Sequence, residues 1–207
     1  MRGPGRRPEI DRELLLQAAI TLIGPDRSIA TLSLREIARE AGIAPNSFYR
    51  HFPSVDALAV ALIECAGESL RQIIGSARQR VGHQRSVIRG SVEAFLEQLD
   101  AEDKYLHLLL REGHVGSPAF RHAVEEQLCG FEDELVVDLK ALVAAEGGHL
   151  LWPELTARAL TRLVFAMGTR ALDMDAVERQ YLAEETIRML RMIMLGALAS
   201  HQIEDSA

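Results

Sequence analysis

Apolar residues return every three or four positions along most of the chain, and the breaks in that rhythm fall at glycine, proline and capping residues. From Glu9 to Ile23 the stripe is Leu14, Leu15, Ala18, Ala19, Leu22 and Ile23, which predicts an amphipathic helix ended by Gly24, Pro25 and Asp26. Ser33 then stands three residues before Glu36, the spacing of a capping box that satisfies orphaned amide donors. Leu34, Ile37, Ala38 and Ala41 follow as one buried helical face. Gly42 supplies a helix stop, Ile43 to Pro45 a turn with one apolar anchor, and Pro45 a first helical position where a missing N–H costs nothing. Beyond it Phe48 and Phe52 face inward, and Asn46, Ser47, Tyr49, Arg50 and His51 are left on or beside the opposite side, with no acid from Gly42 to Ser54. Helix, glycine turn and polar-aromatic helix describe a helix-turn-helix, whose second helix enters the DNA major groove.

Ser54 caps a long helix that runs to about Val81 on Leu58, Leu62, Ile63, Ala66, Leu70, Ile73 and Ile74 and is closed by Gly82. Where this connecting helix points sets where the first three helices point. Further helices are predicted from Ser86 to Leu99, from Asp103 to Glu112 before the loop GHVGSP, and from Pro118 to the pair Gly147 and Gly148. The last two, about Pro153 to Leu172 and Val177 to His201, are apolar nearly all round. Leu160, Leu163, Val164 and Met167 form one stripe; Ile187, Leu190, Met194 and Ala197 form another, with Met189, Ile193 and Gly196 on a second side. A helix with two apolar faces needs two partners, and a homodimer through the last two helices is the economical explanation. The fold class is all-α: a three-helix helix-turn-helix head over residues 1–53, with a basic arm over 1–8, and a helical ligand-binding and dimerisation domain over 54–207.

Composition narrows the picture. The 207 residues are 48% hydrophobic and 5% aromatic, enough for a real and mainly aliphatic core. No apolar run reaches the roughly 18 residues of a membrane span, and no apolar segment follows the amino terminus, so a cytoplasmic protein is expected. Cys65 and Cys129 are too few for a disulfide framework; among apolar neighbours they read as buried reduced thiols. The net charge of -7 is unevenly shared: residues 1–52 hold 8 basic and 6 acidic side chains, the remainder 15 and 24. The basic end is the nucleic-acid end, and the acidic remainder should repel phosphate and orient the molecule. The arm MRGPGRRP carries Arg2, Arg6 and Arg7 and is either a tail or a minor-groove strand; both readings stay open.

Enzyme chemistry finds little support. There is no GxSxG elbow, HExxH, P-loop or glycine-rich dinucleotide turn, so no catalytic residue and no cofactor are expected. His107, His114, His122 and His149 with Glu112 or Glu125 lack the spacing of a metal site and read as scattered solvated histidines. A small-molecule pocket could instead be walled by Leu62, Ala66, Val92, Phe95, Leu106, Leu110, Phe120, Val124, Leu128, Phe131 and Phe165. Periodicity alone does not separate such a wall from filled core. Arg111 and Arg170 could pair with an anionic ligand group at the pocket mouth, or form surface ion pairs.

The segment LREIAREAGIAPNSFYRHF, followed by PSVDAL, resembles the amino-terminal domain of the tetracycline-repressor family of bacterial transcription regulators. The resemblance implies that Arg35, Ala44, Pro45, Asn46, Ser47 and Tyr49 contact bases or nearby backbone, and that Ser33, Arg50 and His51 contact phosphates. It also implies a dimer on a palindromic double-stranded operator, with recognition helices about 34–36 Å apart. RQRVGHQRSVIRGSVEAF, LLLREGHVGSPAFRHAV and VFAMGTRALD extend the likeness to the branch that represses unsaturated fatty-acid synthesis and desaturase genes. That branch implies an effector of long-chain acyl-coenzyme A or acyl carrier protein. Asn46 departs from the small polar residue that relatives can carry there, which leaves the operator sequence open.

Overall fold

The computed structural model describes residues 12–23, 27–79, 84–101 and 104–199. The arm over 1–8, the predicted helix start at Glu9, the stop at Gly24 to Asp26, Val81, Gly82, Asp103 and the tail from Ser200 lie outside the described residues. Helices are α1 (Arg12–Ile23), α2 (Leu34–Glu40), α3 (Pro45–Phe48), α4 (Val55–Gln79), α5 (Gln84–Glu97), α6 (Tyr105–Val115), α7 (Pro118–Ala145), α8 (Pro153–Ala171) and α9 (Ala176–Ala199), with one 3₁₀ turn at Ile29–Thr31. The chain is all-helical, with no strand among the described residues. It forms two compact units that meet inside α4, between Leu62 and Ile63. The expected boundary at 53/54 lies one residue before that helix begins.

In the first unit α1 packs on α2 and α2 on α3. Leu15, Ala19, Ile23, Ile29, Ile37, Phe48, Phe52 and Leu58 are buried. The register of α1 differs from expectation: Leu14 is on the surface and Leu16 and Ile20 are inside. The spacing itself favours this register, since Leu16 is followed at i+3, i+4 and i+7 by Ala19, Ile20 and Ile23, whereas Leu14 meets the polar Gln17 and Thr21 at i+3 and i+7.

The start of α2 is closed by the expected capping box. Ser33 Oγ accepts from the Glu36 amide at 3.3 Å, and Glu36 Oε2 accepts from the Ser33 amide at 3.0 Å and the Ser33 hydroxyl at 2.7 Å. Arg27 adds its Nη2, 3.1 Å from each Glu36 oxygen, and also donates to Thr31. The end of α2 is a Schellman turn, with Ile43 donating to Ala38 and Gly42 to Arg39 while Gly42 sits at φ 66°. Gly147 at φ 72° ends α7 in the same way. At the start of α4, Ser54 Oγ accepts from the Ala57 amide.

In the second unit α7 packs along α8, α8 along α9, α9 on α5 and α6 on α7. Gly113, His114 and Val115, expected in a loop, complete α6, and Gly116 caps it by donating to Glu112. Pro118 follows only after that cap, so one short link suffices. The α7–α8 contact holds an ion network: buried Glu132 accepts from Arg162 at 2.6 Å and from Arg158 at 3.4 Å, and Arg162 forks onto Glu125 at 2.6 Å twice. Cys65 is half-buried and Cys129 exposed, correcting the expectation of two buried thiols. Residue 129 falls on the outer side of α7, where apolar sequence neighbours do not make an apolar surrounding.

Glu36 sets a pH dependence for the first unit. Hydrogen bonds from the Ser33 side chain and backbone, then Arg27, hold its carboxyl at about 2 against an ordinary value of 4.5. A depressed carboxylate stabilises the fold fully above pH 4.5 and loses that contribution as pH falls toward 2. Glu36→Gln should therefore be less stable than wild type in urea at pH 7, and the gap should close between pH 4.5 and 2. A gap unchanged by pH would show that the carboxylate does not brace the cap.

Candidate nucleic-acid interface and ligand cavity

The helix-turn-helix places a polar face outward on a very short element. Pro45 opens α3, which closes after one turn; Arg50, His51 and Phe52 then continue in looser turns by donating to Ser47, Phe48 and Phe48. The recognition element is thus less regular than a helix running from Pro45 to Phe52, because Pro53 and the Ser54 cap stop it from continuing. Phe48 is fully buried and anchors the turn, with the Tyr49 ring edge-on at 5.8 Å and Phe52 at 5.9 Å. Arg12 of α1 lies over the Phe52 ring at 5.1 Å.

Arg35, Ala44, Pro45, Asn46 and Arg50 are exposed, Ser47 and His51 are half-buried, and Tyr49 is 60% exposed. The exposed phenol can meet a base edge or a phosphate without any rearrangement of the core. Ser33 differs from the others. Its hydroxyl proton already goes to Glu36, so a phosphate there would compete with the cap. Arg27, which braces that cap, carries no pattern signal in the sequence because it lies in a loop nine residues before Glu36.

The second unit contains an apolar cavity of about 100 Å³ walled by the end of α4 and by α5, α7, α8 and α9. Of the eleven apolar residues proposed for a pocket wall, Val92, Phe95, Phe131 and Phe165 line this cavity. Phe165 meets Phe95 at 5.2 Å and Phe131 at 5.3 Å, both edge-on. Leu62, Ala66, Leu106, Leu110, Phe120, Val124 and Leu128 do not line it; all but Leu128, which is half-buried, are core. Arg111 and Arg170 do not line it either, and Arg170 is exposed near Glu185 at 3.9 Å. The cavity wall instead holds Arg78, bound to Asp138, together with the hydroxyls of Ser91 and Thr161.

No cluster of three potential metal ligands occurs among the described residues. His114, His122 and His149 are exposed, but His107 is buried rather than solvated, because it lies on the inner face of α6. Burial, then the charges of Lys104, Arg179 and Arg111, hold its imidazole below the ordinary range. None of the described helices is long and apolar enough to cross a membrane.

Comparison with known proteins places both units. The family profile described as bacterial regulatory proteins, tetR family, matches residues 15–62. A second, described as the tetracyclin repressor-like C-terminal domain, matches residues 84–196. A transcriptional regulator from Rhodococcus sp. Rha1 is similar at 19% identity and TM-score 0.72, over 90% of this chain and 97% of that one. The fatty acid degradation regulator FadR of Bacillus halodurans is similar at 15% identity and TM-score 0.68, over 95% and 99%. The multidrug binding protein EbrR, complexed with imidazole, is similar at 23% identity and TM-score 0.66, over 91% and 96%. At these identities the structures show a shared fold alone.

The aromatic wall depends on Gly168 in α8. A Cβ there would lie 2.7 Å from Phe95 Cε1, 2.9 Å from Cζ and 3.3 Å from Leu110 Cδ1. Gly168→Ala should force Phe95 aside and cost about 1–3 kcal/mol by overpacking. Urea unfolding at neutral pH checks this, and a wild-type midpoint would mean that the ring moves freely.

Proposed function

The chain belongs to the tetR family of bacterial regulatory proteins, and on that premise we propose a homodimeric repressor of unsaturated fatty-acid synthesis or desaturase genes. Its operator is a palindromic double-stranded DNA, and its effector a long-chain acyl group on coenzyme A or acyl carrier protein. The observation that carries the DNA reading is the exposed, acid-free surface of Asn46, Tyr49 and Arg50 around a buried Phe48 anchor. Asn46, Ser47 and Tyr49 reach base edges, while Arg50 and His51 take phosphates. The cavity supports the acyl reading because its wall is aliphatic apart from three rings, two hydroxyls and Arg78.

An acyl chain in the cavity shifts α4, which runs unbroken from Val55 to Gln79, and so changes the spacing of the two heads. A ligand controls the operator only through different affinities for the two spacings; a coupling of about 1–3 kcal/mol changes operator affinity roughly 5–150-fold. The three phenylalanines favour a second reading, a repressor of an efflux or catabolic operon that binds an aromatic compound.

The dimer forms through α8 and α9. Met192 is 71% and Leu195 66% exposed on α9, and Leu155 of α8 is exposed as well, an apolar surface that a symmetry mate would cover. Replacing both Met192 and Leu195 by Glu should give a folded monomer in sedimentation; a dimer of wild-type stability would move the interface elsewhere.

Fluorescence anisotropy on DNA from upstream of the protein's own gene and of a nearby desaturase gene tests the regulatory reading. Oleoyl- and palmitoyl-coenzyme A should shift binding unequally, whereas tight binding indifferent to both would discard the acyl effector. In the same assay Tyr49→Ala should lose about 1–3 kcal/mol of operator affinity with the dimer intact. Wild-type affinity in that variant would sink the assignment of the recognition face.

A further inference from the structure

We propose that the cavity takes a single-chain amphiphile tail first and holds its anionic head group at Arg78. This names the ligand geometry of the cavity and rests on the reading above that an acyl chain occupies it, here as the free carboxylate, because the carbonyl of a thioester carries no charge. An outer recess adjoins the cavity, and Arg78, Val87, Leu135, Leu139 and Leu142 line both spaces, which marks where they meet. Phe95, Phe131 and Phe165 line the inner space only. The recess adds Gln79 and Asp138 to its wall and is the more polar of the two. An occupant of both spaces therefore has an apolar end against the rings and a polar end in the recess, with a guanidinium at the junction.

Arg78 is suited to that position. It is only 9% exposed, and a guanidinium buried on an apolar wall is costly unless it is paired. Asp138 supplies one partner, bound at Nε, which fixes the side chain by one edge. The terminal amino groups are the part of the fork that recognises a carboxylate or phosphate in two-point fashion. Asp138 is 35% exposed and keeps contact with water, so the arginine can be shared with a second anion without drying both. Arg111 and Arg170, the cations that sequence position suggested for this task, line neither space.

The test uses the full-length protein and two fluorescent probes, cis-parinaric acid and its methyl ester, which share one tail and differ in head charge. Replacing Arg78 by Met together with Asp138 by Leu removes the ion pair without leaving a buried partner. We expect that variant to bind the acid at least about tenfold more weakly than wild type and the ester equally well. Arg78→Lys keeps the charge but loses the fork; it should weaken the acid by less, and serves if the double variant does not fold. Val164→Trp, which fills the inner space, should weaken both probes.

Equal acid affinity in wild type and the variants at Arg78 would overturn the head-group assignment and leave the acyl reading standing. Equal loss of acid and ester at an unchanged melting temperature would make Arg78 a wall residue, and also overturns it. Probe binding that Val164→Trp does not reduce would put the tail elsewhere. Failure of wild type to bind either probe would overturn the proposal, while the acyl reading is decided separately by the coenzyme A thioesters in the anisotropy assay.

Discussion

The start of α2 depends on a single carboxylate. Glu36 closes the start of α2 on Ser33 and takes Arg27 from the preceding loop, so one side chain ties the loop, the cap and the helix together. The other end of α2 is fixed by Gly42, and three residues later α3 begins. A helix of one turn has no cooperative stability and cannot hold its own direction. Its direction comes from what grips it: the Schellman turn before it, Phe48 within it, and Phe52 beyond it under Arg12. The outward placement of Asn46, Tyr49 and Arg50 is therefore inherited from polar bonds at α2 and apolar burial on either side.

The second unit solves a different problem, how to keep space inside a helical core. Close-packed interiors leave few voids, so an apolar cavity requires neighbours that cannot collapse into it. Two features fix their places. Arg162, with Glu125 and Glu132, pins α7 to α8 through short charge-assisted bonds, and Arg158 adds a longer one. Gly168 lets the Phe95 ring lie directly on α8, and Phe165 then meets Phe95 and Phe131 edge-on. The space that remains is bounded by rings on one part of its wall and by Arg78 on another.

Much of the fold was legible in the sequence because its signals are local. The Ser33 and Glu36 box, the stops at Gly42 and Gly147, and the starts at Pro45 and Pro118 each follow from backbone geometry that few residues satisfy. Periodicity favours the face of Leu16, Ala19, Ile20 and Ile23 in α1 over that of Leu14, and the packing follows it. What was not legible depends on partners distant in sequence. Periodicity marks Leu106, Phe120 and Val124 as inward, without saying that they meet solid core while Val92 and Phe165 meet empty space. Arg78 carries no signal in the sequence because an arginine near a helix end ordinarily faces water. Its burial depends on Asp138, sixty residues on.

Helix α9 joins the cavity to the surface proposed for self-association. Leu190 and Met194 line the cavity, while Met192 and Leu195, on the same two turns, face outward. A rigid helix cannot shift one of these faces and leave the other in place. A ligand that moves Leu190 or Met194 must therefore also move the outer face, and a partner seated there must bias the cavity. By linkage the two effects are equal in free energy: whatever occupancy adds to dimer affinity, dimerisation adds to ligand affinity. For the proposed repressor this gives the cavity two routes to the operator, through α4 within one chain and through α9 between chains. The second works even for a ligand that leaves α4 unmoved.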